Sequence, residues 1–165
     1  MTERRTNHLT RKFVAEMSQK ANKAKRRAGS ASDQTGLPNR RAFNEGKSSP
    51  FVAMSDVYSL KKTNHRFGHV AGDLLIRRLA EVLTSVGLDA YHDLGGMFLC
   101  KGESHQELNL KLSQAQQIVR QESSPVREDS GVTTIQEVEF CFGIGTTLEE
   151  AEHSLNQQKQ LRTPK

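Results

Sequence analysis

Three short apolar runs limit the architectures open to this chain. Pro50–Val57, Gly96–Cys100 and Val138–Ile144 each have the length and composition of a buried strand, and the first ends in an acidic residue, Asp56. Helical patterns lie between and after them. Leu75, Leu79, Val82, Leu83 and Val86 form one apolar face after Gly72. Leu108, Leu110, Leu112, Ala115, Ile118 and Val119 support a second helix, and Glu149 to Leu161 a last, mostly polar one. Pro125 to Thr134 is rich in Ser, Gly and charge and reads as a flexible loop. The order helix, strand, helix, strand, helix, strand, helix predicts an α+β domain with helices packed on one sheet.

At 165 residues, with 35% hydrophobic and 26% charged residues and no Trp, the chain suits one modest core plus an appendage. The charge is unevenly placed. Residues 1–27 hold nine Lys/Arg against Glu3 and Glu16, a net +7, which leaves −2 for the other 138. The expected division is therefore a basic helical arm over residues 1–31 and a domain over 32–165. Good helix formers run from His8 to Arg27 before Gly29 breaks the pattern, and Leu9, Phe13 and Met17 recur at a spacing of four. Such an arm suits pairing with a copy of itself or a partner, plain solvation, or contact with nucleic acid. No apolar run approaches the roughly 20 residues of a membrane span. There is no apolar signal core at the N-terminus either, so the expected compartment is the cytoplasm. Cys100 and Cys141 lie 41 residues apart in apolar stretches, without a C-x-x-C pair or a neighbouring His, and read as reduced core cysteines.

Two motifs carry more specific information. Asp56-Val57-Tyr58-Ser59-Leu60-Lys61-Lys62-Thr63-Asn64-His65-Arg66-Phe67-Gly68-His69-Val70-Ala71-Gly72-Asp73 resembles, without a gap, the D-x-D-x-F-K-x-x-N-D-x-x-G-H-x-x-G-D signature of the GGDEF family, the diguanylate cyclases. Upstream, Thr35-Gly36-Leu37-Pro38-Asn39-Arg40-Arg41-Ala42-Phe43 resembles the family's opening T-G-L-x-N-R-R-x-F. Two blocks in the right order are far more specific than one glycine-rich match. The resemblance spans roughly Ser32 to Arg162. It implies the cyclase palm fold, a mostly antiparallel central sheet flanked by helices, with GTP as ligand and Mg²⁺ as the metal.

Within that resemblance, Asn64 and Asp73 match the positions that read a guanine edge, whose two N–H donors and one acceptor suit an amide beside a carboxylate. Lys61 and Lys159 match phosphate-binding lysines. Asp56 and the carbonyl of Val57 match two metal ligands; the third belongs to the G-G-[D/E]-E-F hairpin. Taken alone, Asn64 and Asp73 would be helix caps, and the two lysines surface residues.

The hairpin departs from the pattern. It reads Asp93-Leu94-Gly95-Gly96-Met97-Phe98, so Gly95, Gly96 and Phe98 are kept while Met97 stands where the acids belong. A thioether cannot replace a hard oxygen ligand. Tyr58 and His65 replace two further acids, Gln34 replaces a Leu, and Thr163 replaces a phosphate-binding Arg beside Arg162. The stretch from Phe43 to Pro50 is short for the family's first helix. The feedback R-x-x-D motif is absent, since no Arg occurs between Arg78 and Arg120. Three functions follow as expectations. The first is a degenerate, non-catalytic module that binds GTP or a related guanine nucleotide and acts through a protein partner, with Mg²⁺ held weakly if at all. The second is a weak cyclase using Asp93. The third is a nucleic-acid-associated protein working through residues 1–27.

Overall fold

The computed structural model describes residues 13–19, 31–32, 34–58, 60–122, 124–127, 133–136 and 139–162. Of the arm expected over residues 8–27, the described part, 13–19, is helical (α1); Leu9 and most of the basic residues lie outside the described set. The domain then runs α2 (Arg40–Glu45), β1 (Phe51–Val57), α3 (Leu60–Phe67), α4 (His69–Ser85), β2 (Asp89–His92), β3 (Met97–Gly102), α5 (His105–Gln121), β4 (Ser124–Arg127), β5 (Thr133–Gln136), β6 (Phe140–Gly145) and α6 (Leu148–Arg162).

The main sheet has the order β2-β3-β1-β6 and every pairing is antiparallel. β1 is central. Because successive side chains of a strand point to opposite faces, it serves two cores at once. Ala53 and Val57 join Leu75, Leu79, Leu83, Leu108, Leu112, Phe98 and Phe140 under α4 and α5. Val52 and Met54 join Phe43, Leu99, Cys141, Ala151 and Leu155 under α2 and α6. The same alternation puts Asp56 on the α2/α6 face.

Two expectations are corrected. The sheet has a fourth strand, Asp89–His92, too short and too polar to stand out by pattern; pairing with β3 supplies what its own residues do not. The loop expected over Pro125–Thr134 contains parts of a two-stranded ribbon, in which Ser124↔Gln136 through Arg127↔Thr133 pair antiparallel. Its β-branched Val126, Thr133, Thr134 and Ile135 suit extended backbone better than the Ser and Gly content suggested. The first domain helix is indeed short, six residues, with Asn39 as its N-cap accepting from the Ala42 N–H. Leu110, counted with the apolar face of α5, is exposed.

Helix α6 is seated by glycine. A Cβ on Gly143 would fall 2.2 Å from the Ala151 carbonyl oxygen and 2.3 Å from the Leu155 nitrogen, so backbone lies on backbone. Its start is held by Thr146 and Thr147. The Glu150 carboxylate accepts from the Thr146 N–H at 2.8 Å, and the Thr147 hydroxyl accepts from the Glu150 N–H at 3.2 Å. Both cysteines are free and buried, on opposite faces of the sheet. Burial pushes the Cys100 thiol up to about 12. No helix among the described residues is long and apolar enough to cross a membrane.

Gly143→Ala should therefore lower the unfolding free energy by about 1–3 kcal/mol, measured by denaturant titration, because α6 must lift off β6 to admit one methyl group. Removal of residues 1–27 should leave the cooperative thermal transition in place, since Phe13 and Met17 are 62% and 46% exposed and both cores lie beyond them. Loss of that transition would assign the arm to the core.

Candidate functional site

Helices α3 and α4 are separated by one residue, Gly68, at φ +86°. That left-handed conformation favours glycine and turns the chain sharply enough for α4 to pack on α3. The contact point is Gly72. A Cβ there would sit 1.7 Å from Asn64 Oδ1, so the side chain of Asn64 occupies the space a larger residue at 72 would fill. Asn64 is thus set against Gly72, the residue that precedes Asp73 in α4.

Neither residue is a cap. Asn64 lies within α3, and the N-cap of α4 is Gly68, five residues before Asp73. Asn64 Oδ1 is buried and has no hydrogen-bond partner among the described residues. Asp73 is exposed and accepts from the Gln34 side-chain amide at 2.7 Å. The Gln34 backbone carbonyl in turn accepts from Arg77 Nε at 3.1 Å. Beside this contact, Gln34, Thr35, Gly36 and Arg77 help to line an open cavity of about 330 Å³. Gln34, noted in the sequence only as a departure, is the group that faces Asp73.

The second group of candidate residues is built on β1. Asp56 has two register partners, Met97 on β3 and Cys141 on β6. The hairpin residue opposite Asp56 is therefore a methionine, whichever way the signature is aligned. The carboxylate is met from α6 by Lys159, whose Nζ lies 2.5 Å from Asp56 Oδ2. One turn away, Arg162 pairs with Glu139 at 2.9 Å. Lys61 stands exposed in the first turn of α3. The N–H of Val57 donates to the Gly96 carbonyl at 3.0 Å, which ties the end of β1 to the hairpin.

These residues do not fit a divalent cation. Mg²⁺ takes hard oxygen ligands, and here one carboxylate is flanked by two sulfur-bearing residues and neutralised by an ammonium group. Among the described residues no three His, Cys, Asp or Glu side chains converge on a point. Asp93, the alternative acid, pairs with Arg40 at 2.9 Å and its side chain is 13% exposed.

The hairpin turn keeps its glycines for packing. Gly95 has φ +53°, and a Cβ on Gly96 would come within 3.0 Å of Val57 Cβ. His92, buried behind the turn, bridges the Gly95 carbonyl at 2.8 Å and the Ser32 hydroxyl at 2.7 Å. A carbonyl only accepts, so Nε2 donates to Gly95. Lys101 is buried as well. Its Nζ donates to the carbonyls of Phe43 and Lys47, both at 2.8 Å, and lies over the rings of Phe43 and Tyr91. It closes the end of the short α2. The sequence carries no signal for either role.

No protein-family model and no curated protein matches the chain. Solved structures do. The diguanylate cyclase SiaD of Pseudomonas aeruginosa, solved with its activator SiaC, is 24% identical, with a TM-score of 0.65 over 98% of this chain and 70% of that one. The FimX GGDEF domain, also from Pseudomonas aeruginosa, is 16% identical, with a TM-score of 0.64 over 80% and 94%. The coiled coil and GGDEF domain of DgcB from Caulobacter crescentus, solved with c-di-GMP, is 22% identical, with a TM-score of 0.59 over 97% and 91%. The chain has the fold of GGDEF domains.

Gly72→Ala tests the Asn64 pocket. Alanine gains about 1 kcal/mol of helix propensity over glycine, which should offset much of the steric cost and keep the thermal midpoint close to that of the unmodified protein. The Asn64 side-chain amide resonances should shift strongly as that side chain is expelled. Unchanged resonances would show that the pocket has room to spare.

Proposed function

We propose that the chain is a degenerate GGDEF domain that binds a guanine nucleotide without cyclising it and serves as a signalling or regulatory module for a protein partner. One observation carries this reading: at the α3–α4 junction Asn64 Oδ1 is buried against Gly72 without a hydrogen-bond donor among the described residues, and the next residue of α4, Asp73, has a carboxylate that already accepts an amide N–H. A guanine edge offers N–H donors of that kind. Gln34 stands in for it and must swing away when the base enters. An unpaired buried acceptor costs about 1–3 kcal/mol, which a bound donor would recover.

The reaction that joins two GTP molecules needs metal charge at the α-phosphate and an acidified 3′-hydroxyl. The pocket around Asp56 offers one carboxylate, already paired with Lys159, and the carbonyl of Val57 has no acidic side chain from Met97 to complete a ligand set. The weak-cyclase alternative requires Asp93 to leave Arg40. Base recognition and metal-assisted attack draw on different residues, so the first survives without the second.

The purified protein should form no c-di-GMP from GTP by chromatography, yet bind guanine nucleotides in preference to adenine nucleotides by calorimetry. Asp73→Ala should weaken that binding by about 1–3 kcal/mol. Product formation by the unmodified protein, or binding indifferent to Asp73→Ala, would overturn the proposal.

A further inference from the structure

The side chain of Gln34 rests on the carboxylate of Asp73, to which its Nε2 donates at 2.7 Å. The backbone beneath that side chain is held by other groups. The Ser32 N–H donates to the Leu37 carbonyl at 2.8 Å, and the Gly36 N–H to the Ser32 carbonyl at 2.9 Å. The Thr35 N–H donates to the Ser32 hydroxyl at 3.4 Å, and that hydroxyl meets the buried His92 of β2 at 2.7 Å. Arg77 Nε donates to the Gln34 carbonyl at 3.1 Å. The turn is thus fixed to the sheet and to α4, while the Gln34 amide can change partner without unmaking any of these bonds.

A second carboxylate lies within reach. Asp73, Arg77 and Glu81 recur at a spacing of four on the exposed face of α4, each about 6 Å along the axis from the next. The Gln34 backbone is held by the middle member, so its side chain has an acid about one turn away in either direction. Toward Asp73 it makes the hydrogen bond described above. Toward Glu81 lies the open cavity of about 330 Å³, which Gln34, Arg77 and Glu81 line together with Ser18 of α1. Glu81 takes the Arg78 guanidinium at 2.8 Å through Oε2 and has a second carboxylate oxygen to accept an amide. A hydrogen bond between exposed groups competes with water, so the Gln34–Asp73 contact is exchangeable.

Resting on the guanine-binding reading above, we infer that Gln34 is an internal competitor for Asp73, which an entering base displaces toward Glu81 and the cavity shared with α1. A primary amide presents the same kind of N–H donor as a guanine edge, so the two exclude one another at one carboxylate. Without ligand, the amide holds Asp73 and lowers the apparent affinity for the base. With the base bound, the amide turns to the other acid of the same face. Occupancy of the base site is thereby registered beside Ser18, where α1 borders the cavity.

The test uses the full chain and guanosine, a ligand without phosphate. By calorimetry, Gln34→Ala and Gln34→Leu should each bind guanosine about three- to tenfold tighter than the unmodified protein, the scale of one exposed hydrogen bond to a charged group. Leucine keeps the bulk of the side chain and removes only the amide. In NMR spectra of isotope-labelled protein, guanosine should move the Gln34 side-chain amide resonances. Glu81→Ala should shift their guanosine-bound position and leave the ligand-free position nearly in place. A cooperative thermal transition identifies the variants that fold, and two Gln34 variants guard against one failing.

Affinity unchanged in both Gln34 variants would overturn the inference and leave the proposed function standing. So would a gain in Gln34→Ala that is missing from Gln34→Leu, since bulk and not the amide would then be the obstacle. Bound resonances indifferent to Glu81→Ala would equally overturn it. If neither the unmodified protein nor the Gln34 variants bind guanosine in preference to adenosine, the function proposed above fails, and this inference with it.

Discussion

The candidate site and both cores are referred to β1, a strand paired on both edges. Its neighbours β3 and β6 bring Met97 and Cys141 to either side of Asp56, and its two faces receive the two cores. A strand in that position has no freedom of register, since a slip of one residue would turn Val52 and Met54 outward from the α2/α6 core and Ala53 and Val57 from the other. The surroundings of Asp56 are therefore a consequence of sheet packing. The site did not need its own stabilising interactions to acquire a methionine and a cysteine as neighbours.

The second constraint is close approach of backbones. Gly143 lets α6 rest directly on β6, and Gly72 lets Asn64 tuck between α3 and α4. The first brings Lys159 within reach of Asp56. The second leaves an amide oxygen buried without a donor among the described residues. Glycine is thus used twice, once to assemble a charge pair and once to build a polar pocket. The charge pair rests on α6 and the pocket on the α3–α4 junction.

Legibility in the sequence followed the strength of local pattern. β1, β3 and β6 were visible as short apolar runs, α4 and α5 because their apolar residues recur with the helical period, and α6 as a mostly polar stretch of helix formers. β2 was not, because Asp89–His92 takes its stability from β3, and neither was the β4–β5 ribbon, whose Ser and Gly content argued for a loop. Among site residues, Asn64, Asp73, Lys61 and Asp56 could be named because they sit in one ungapped motif. Gln34, Arg40, Glu139 and the buried Lys101 could not be assigned roles, since each acts on a residue 39 or more positions away or, for Glu139, on one 23 away at the far end of α6.

The three long strands with the helices after them, the α+β class, the uneven charge and the replacement of an acid by Met97 were determined by the residues themselves, because periodicity, composition and side-chain chemistry are properties of short stretches of chain. The tertiary structure alone decided that Met97 faces Asp56, that Lys159 neutralises that carboxylate, and that the Gln34 amide lies against Asp73. Those are pairings between distant segments, created by strand register and by helix seating on glycine, and no local property of either partner specifies them.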